Sequence, residues 1–308
     1  MEILILGAGA MGSLFGALLA PLAEVCLFTT NAGHARAINR EGLTLTGMDG
    51  TVRRFGIRAL TDGSHYGGKA DLILLCTKAR STGEAAATAQ RLVAEDGLVL
   101  TLQNGLGNLE RIVAVVGAER AAAGTTAQAA TLLAPGHVRH AGRGPSVLAA
   151  GPGQSEKITA IAELFNRAGI DTHIVEDSDV LLWSKLIVNV GINALTALLR
   201  VPNGVLARVP ECEQLIAQAV NEAVAVARAL HIDLPYETQL ERVRQVCALT
   251  SANRASMLQD ILRGAPTEID VINGAVVAKG LEVGVPTPVN LLLTQLVKAL
   301  EATASHRI

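Results

Sequence analysis

Three groups of residues in this 308-residue chain have the types and spacing that chemistry needs. The first lies in ILILGAGAMGSLFG, where Gly7, Gly9 and Gly12 form G-x-G-x-x-G around Ala8, Ala10 and Met11. A short aliphatic run precedes it and a helical pattern follows. In that setting the first glycine permits a tight turn, the second lets backbone approach a pyrophosphate, and the third allows close helix–strand packing. The free N–H groups and partial positive charge of the helix start attract phosphates. The motif therefore points to a bound dinucleotide. The end of the next strand selects between nicotinamide cofactors, because an acid there binds the ribose 2′-OH and repels a 2′-phosphate. This chain has Thr29, Thr30 and Asn31, with His34 nearby and Arg36 a turn later. Absence of the acid favours NADPH, with NADH as the alternative.

The second group is Lys185, Asn189 and Asn193 in WSKLIVNVGINALTALL. Residues four apart share one helix face, and the rest of this helix is apolar. Buried Lys and Asn side chains need partners. They pin one helix to another or present a row of donors to a small anionic substrate, and the lysine favours the second reading. The third group is a pair of polar clusters. ANRASMLQD carries Asn253, Arg254, Ser256, Gln259 and Asp260, while PTEIDVING carries Glu268, Asp270 and Asn273. Taken alone, each reads as an ordinary helix start, capped by Ser or Asn in the first and opened by Pro-Thr-Glu in the second.

The elements that must position these groups fall into two halves. Strand and helix signals alternate early on. Strands are predicted at Glu2–Leu6, Glu24–Phe28, Asp71–Cys76 and Leu98–Leu102, with helices from the glycine loop to about Ala20 and over Ser81–Ala94. Segments near Leu43–Leu45 and Thr51–Ala59 read as a hairpin turning at Asp49-Gly50. Residues 136–151 add antiparallel strands, and a helix at Glu156–Ala168 and a strand at Thr172–Val175 close the half. This alternation implies a parallel sheet covered on both faces. After Asp177 strand signals stop. Helical patterns run over Val180–Leu199, Glu211–Leu230, Tyr236–Val246, Met257–Leu262, Glu268–Gly280 and Val289–Thr303. The expectation is an α/β protein: an N-terminal Rossmann domain at 1–176 and an all-helical domain at 177–308 bearing the substrate and catalytic residues.

Composition narrows the function classes. The formal net charge is -2, and no basic block or acidic tail suggests nucleic acid or a membrane surface. Residues 3–23 are uncharged, but Glu2 precedes them and glycines interrupt them, unlike a secretory signal. Residues 181–199 are apolar, yet a bilayer would strand Asn189 and Asn193 in lipid. The four cysteines, Cys26, Cys76, Cys212 and Cys247, have no metal-ligand spacing and read as buried thiols in a reducing, cytoplasmic setting. No metal site is expected.

Together these pieces resemble the ketopantoate reductases (2-dehydropantoate 2-reductases). The stretches ILILGAGAMGSLFG, CTKA, QNGLGN, GTTAQAA, WSKLIVNVGINALTAL, PNG, NRASMLQD and PTEIDVINGAVVAKG carry the likeness, in order, across nearly the whole chain. The resemblance implies NADPH-dependent reduction of a small 2-oxo acid, ketopantoate, in pantothenate biosynthesis. It makes Lys185 the general acid and places Glu268 at the cofactor ribose, helping to order the site. Lys78, Asn104 and Ala130 match cofactor contacts, with Asn104 also reaching the substrate. Asn189, Asn193, Asn203, Asn253 and Ser256 match substrate contacts. The chain departs from the family pattern at Thr30, where an arginine contacts the 2′-phosphate, and at Arg80-Ser81, where an aromatic–Gln pair is expected. A homodimer stays open. The rival readings are an NAD-dependent D-2-hydroxy acid dehydrogenase of the same fold and a noncatalytic dinucleotide sensor.

Overall fold

The structure, a computed structural model, describes residues 1–306. The chain divides into two compact units, one formed by Met1–Gln103 and Asn108–Leu181, the other by Asn104–Gly107 and the chain from Leu182 onward. The first is α/β. Its strands β1 (Glu2–Leu6) and β2 (Glu24–Phe28) flank helix α1 (Ala10–Leu19), and α2 (Ala32–Glu41) follows. Then come β3 (Leu43–Thr46), β4 (Val52–Phe55), β5 (Arg58–Leu60), β6 (Ala70–Leu75), α3 (Thr82–Leu92), β7 (Val93–Thr101), α4 (Asn108–Val116) and β8 (Ala121–Thr126). The unit closes with β9 (Ala129–Ala134), β10 (His137–Gly142), β11 (Ser146–Ala149), α5 (Ser155–Arg167) and β12 (Thr172–Val175).

An eight-stranded sheet runs β12-β11-β8-β7-β6-β1-β2-β5. It is parallel from β8 to β5, and β11 pairs antiparallel to β8. Its central strands are aliphatic at nearly every position because both faces are covered, by one core holding Ile3, Ile5, Leu72 and Leu74 and another holding Leu4, Leu6, Ile73 and Leu75. A second sheet, β4-β3-β10-β9, packs against α1.

One reading of this half needs correction. The Thr51–Ala59 segment is not one strand. Val52–Phe55 pairs with β3 in the expected hairpin, but the chain then leaves, and Arg58–Leu60 joins the large sheet parallel to β2. Burial explains the split: Val52, Arg53 and Arg54 are exposed, whereas Ile57, Ala59 and Leu60 enter the core. Helices α2 and α4 and strands β8 and β9 lie outside the predicted elements. For α2 the signal was a polar N-cap, since Asn31 accepts a hydrogen bond from the His34 amide.

Two buried histidines are expected to make this unit acid-sensitive. Burial lowers the pKa of His34, and burial, then nearby Arg143, lowers that of His140. A histidine with a depressed folded pKa refuses a proton that the unfolded chain accepts, so stability falls as pH drops below the unfolded value of about 6.5. The melting temperature is expected to fall from pH 7 to pH 5, above the carboxylate range, and His140→Gln should flatten that fall. Calorimetry at stepped pH checks this; an unchanged slope in the variant would remove His140 from the account.

The second unit contains helices and no strand among the described residues. It holds most of α6 (Ser178–Leu199), then α7 (Asn203–Leu206), α8 (Pro210–Ala229), α9 (Gln239–Leu249), α10 (Ser256–Leu262), α11 (Asn273–Val283) and α12 (Pro288–Ala302). Helix α6 is long and apolar enough to span a membrane, but most of it is buried inside the fold. Leu186, Ile187, Val190 and Leu195 are all inaccessible, each burial contributing about 1.5–3 kcal/mol. The expected helix at Glu268–Gly280 is broken: Ile269–Val271 forms a single 3-10 turn before α11 starts. The expected Tyr236–Val246 helix likewise opens with a 3-10 turn and extends to Leu249.

Candidate functional site

The glycine loop has the geometry its sequence implied. Gly7 follows β1 with φ 98°, and a Cβ there would lie 2.5 Å from the Thr77 amide nitrogen. At Gly12 a Cβ would meet the Gly7 carbonyl oxygen at 2.3 Å. Both positions need glycine to let β1, α1 and the end of β6 close up. Gly9 differs: a Cβ there meets nothing within 4 Å. It is the N-cap of α1, whose first turn carries no acid. An open backbone position at an uncompensated helix start is a cradle for a phosphate. The Gly7 and Ala8 amides are used, both donating to the Phe28 carbonyl.

Beside this loop the chain leaves β6 through Cys76, Thr77 and half-buried Lys78. A buried polar network that was not foreseen supports it. Gln103 donates through Nε2 to the Thr77 carbonyl (2.9 Å) and accepts from the Thr101 hydroxyl (2.9 Å), while the Thr82 hydroxyl lies 2.9 Å from Asn108 Oδ1. The available signal was polar residues placed directly after apolar strand runs. At the end of β2, Thr30 is exposed and Asn31 is engaged in capping α2, leaving Arg36 exposed on that helix. His34 is not free to meet a ligand, since it is buried and bonded at both ring nitrogens. Ala130 sits on β9, partly buried against the core that also takes Met11.

The remaining candidates belong to the helical unit. Lys185, Asn189 and Asn193 lie on one face of α6, with Asn193 buried. Burial pushes the Lys185 ammonium down to a pKa of about 8, and the nearby Glu268 carboxylate opposes that shift. Glu268 is itself buried. The sequence clusters 83 positions apart are therefore brought together as an electrostatically coupled pair. The Asn104 loop joins them: the Leu106 amide donates to the Val271 carbonyl (3.0 Å), and a Cβ on Gly105 would sit 2.3 Å from that oxygen.

Asn203 is buried, with Nδ2 donating to the Thr250 hydroxyl (2.9 Å) and its amide donating to the Asn253 carbonyl (3.0 Å). The Asn203 Oδ1 and the Asn189 Nδ2 are both buried without a hydrogen-bond partner. Buried polar atoms left open are costly unless something satisfies them. Asn253 and Ser256 are exposed, and neither caps α10, whose N-cap is Ala255 without a side-chain bond. The cluster is therefore a helix start, with α10 beginning at Ser256, but the expected Ser or Asn cap is not made. The helix-start reading partly holds for the other, because Asn273 is structural. Its Nδ2 donates to Asn290 Oδ1 (2.9 Å), and Glu222 accepts from the Val289 and Asn290 amides (2.8 and 2.9 Å) at the start of α12. Among the described residues no group of His, Cys, Asp or Glu could hold a metal.

Two family models cover most of the chain: ketopantoate reductase PanE/ApbA over residues 3–153 and its C-terminal counterpart over 178–301. The chain belongs to the ketopantoate reductase family. It is accordingly an oxidoreductase with a Rossmann-type first unit. It is 39% identical to a 2-dehydropantoate 2-reductase of Pyrococcus horikoshii, over 98% of both chains. Identity to the enzyme of that name from Halobacterium salinarum is 37%, over 97% of this chain and 98% of the other. Among solved structures, a family member from Ralstonia eutropha superposes with TM-score 0.90 at 33% identity, over 99% and 100% of the two chains. A D-mandelate dehydrogenase in a ternary structure with NADH and anilino(oxo)acetate matches at TM-score 0.94 and 31% identity, over the same shares.

Proposed function

We propose that this ketopantoate reductase homologue reduces 2-dehydropantoate to pantoate, with NADPH as its preferred reductant, Lys185 as general acid and Glu268 as the partner that keeps the lysine charged. The observation that carries the substrate choice is the pair of open amide atoms, a donor at Asn189 and an acceptor at Asn203. A hydroxylated 2-oxo acid satisfies both kinds of group, since a hydroxyl donates and accepts; an aromatic 2-oxo acid has no hydroxyl to offer.

The open Gly9 cradle is what makes the residues fit a nicotinamide dinucleotide. When bound, it supplies a hydride to the ketone carbon. The residues then have defined tasks. The α1 N-terminus holds the pyrophosphate. Lys185 polarises the ketone oxygen and delivers a proton from Nζ to the resulting alkoxide. Asn193, Asn253 and Ser256 bind the carboxylate and hydroxyl oxygens, while Lys78, Asn104 and Ala130 contact the cofactor. NADPH preference follows from the absence of any acid at the end of β2 and the exposure of Arg36 nearby.

The D-mandelate dehydrogenase likeness favours a second reading, an NAD-dependent D-2-hydroxy acid dehydrogenase. Steady-state kinetics separates them. Against 2-dehydropantoate, the analogue lacking its hydroxyl should lose at least about a hundredfold in kcat/KM, as sites built around a substrate hydroxyl do. NADPH should exceed NADH by about tenfold or more, ~1.4 kcal/mol. Preference for benzoylformate with NADH would make the second reading the correct one.

A further inference from the structure

Buried His34 has no role in the reaction described above, yet its surroundings tie it to the glycine loop. Its Nδ1 accepts the Gly136 amide N–H at 2.9 Å. A backbone amide only donates, so Nδ1 carries no proton and the ring is the Nε2–H tautomer. That N–H points at the Ser13 hydroxyl, 3.1 Å away. With the hydroxyl oxygen accepting from the imidazole, its own hydrogen is directed toward the Ala8 carbonyl, 3.4 Å distant. Ala8 lies between the first two glycines, and the Ser13 amide closes the first turn of α1 by donating to the Gly9 carbonyl at 2.9 Å.

We infer that His34 and Ser13 are positioning residues for dinucleotide binding: a one-way relay of donors from Gly136 through His34 and Ser13 to Ala8 sets the loop that receives the pyrophosphate. The inference rests on the glycine loop being the dinucleotide site. Its direction is imposed at the Gly136 end, in the turn between β9 and β10, so the small sheet holds the loop in register. Helix α1 and strands β3 and β9 contain no ionisable group. On β10, His137 bonds to Thr46, Arg139 is exposed and His140 bonds to Gln128; on α2, Arg36, Arg40 and Glu41 are exposed; on β2 and β5, Glu24 and Arg58 are exposed and Cys26 is a buried thiol. Burial lowers the His34 pKa and so favours the neutral ring that the Gly136 bond requires. Among the described residues no carboxylate is paired with His34 to stabilise its imidazolium, and a proton on Nδ1 would oppose the Gly136 donor.

The experiment compares wild type with Ser13→Ala, His34→Gln and a control, Thr46→Val, which removes the comparable Thr46–His137 bond (2.8 Å) in the same sheet. NADPH and NADH dissociation constants are read by fluorescence titration, with kcat at saturating cofactor and melting temperature alongside. Ser13→Ala and His34→Gln should raise the cofactor Kd by about three- to tenfold, the factor one hydrogen bond is worth, with kcat unchanged at saturation. Thr46→Val should lower the melting temperature without moving Kd. Wild-type Kd in folded Ser13→Ala overturns the inference, even if His34→Gln does not fold. Equal Kd increases in Thr46→Val overturn it too, by making the effect general loosening. Failure of wild type to bind either nucleotide would instead overturn the dinucleotide reading.

Discussion

Lys185→Ala is expected to lower kcat by at least about a hundredfold while the protein still folds and still binds its cofactor. General acid catalysis by a positioned group supplies about 10²–10⁴-fold, and loss of the ammonium also removes charge stabilisation of the developing alkoxide. The pH profile sharpens the test. Because burial brings Lys185 down to about 8, against the opposing effect of Glu268, the ammonium predominates at neutral pH and is lost as pH rises through about 8. Reduction, which needs the acid form, should therefore be flat below that value and fall above it. Oxidation of the hydroxy acid needs the neutral amine as base, so its rate should rise through the same range. Glu268→Gln removes the carboxylate that raises the lysine and should move the falling limb of reduction to lower pH. Steady-state kinetics in both directions checks all three. A folded Lys185→Ala variant with near-normal kcat would reduce the polar stripe on α6 to a packing device.

The second large effect is expected at Gly9. Gly9→Asp should abolish dinucleotide binding, raising Kd by at least about a hundredfold, without harming the fold. A Cβ at this position meets nothing within 4 Å, and the backbone φ of −77° suits any residue. Asp is a better N-cap than Gly by a few tenths of a kcal/mol, so the melting temperature should hold or rise. The new carboxylate, however, would stand where the pyrophosphate approaches. Two like charges about 4 Å apart repel by about 4 kcal/mol at an effective dielectric near 20, more than enough for that loss. Gly12→Ala is the contrasting variant: its Cβ would meet the Gly7 carbonyl at 2.3 Å, so fold and binding should fail together. Calorimetry beside fluorescence titration separates the cases. Unchanged nucleotide binding by Gly9→Asp would mean that the loop is an ordinary turn.

The residues that could be read directly are those whose role is local. The strands Glu2–Leu6, Glu24–Phe28 and Thr172–Val175 are found where the apolar runs predicted them; for the central strand Glu2–Leu6 the reason is that a strand covered on both faces has no polar alternation to blur its limits. The three glycines announce themselves since no other residue tolerates the close approaches at Gly7 and Gly12. The face shared by Lys185, Asn189 and Asn193 follows from helical spacing alone. What spacing cannot carry is partnership across the fold. Val52–Phe55 and Arg58–Leu60 separate into different sheets because burial changes between them, which no continuous β pattern records. The sequence places His34 near the cofactor-selecting end of the second strand, but tertiary packing seals it between Ser13 and Gly136. Asn273 does open α11, as a helix start would, but only the fold shows that its side chain is buried and bonded to Asn290. Most of all, the pKa of Lys185 is a tertiary property: the chain supplies an ordinary amine, and only folding buries it and brings Glu268 near enough to hold part of its charge.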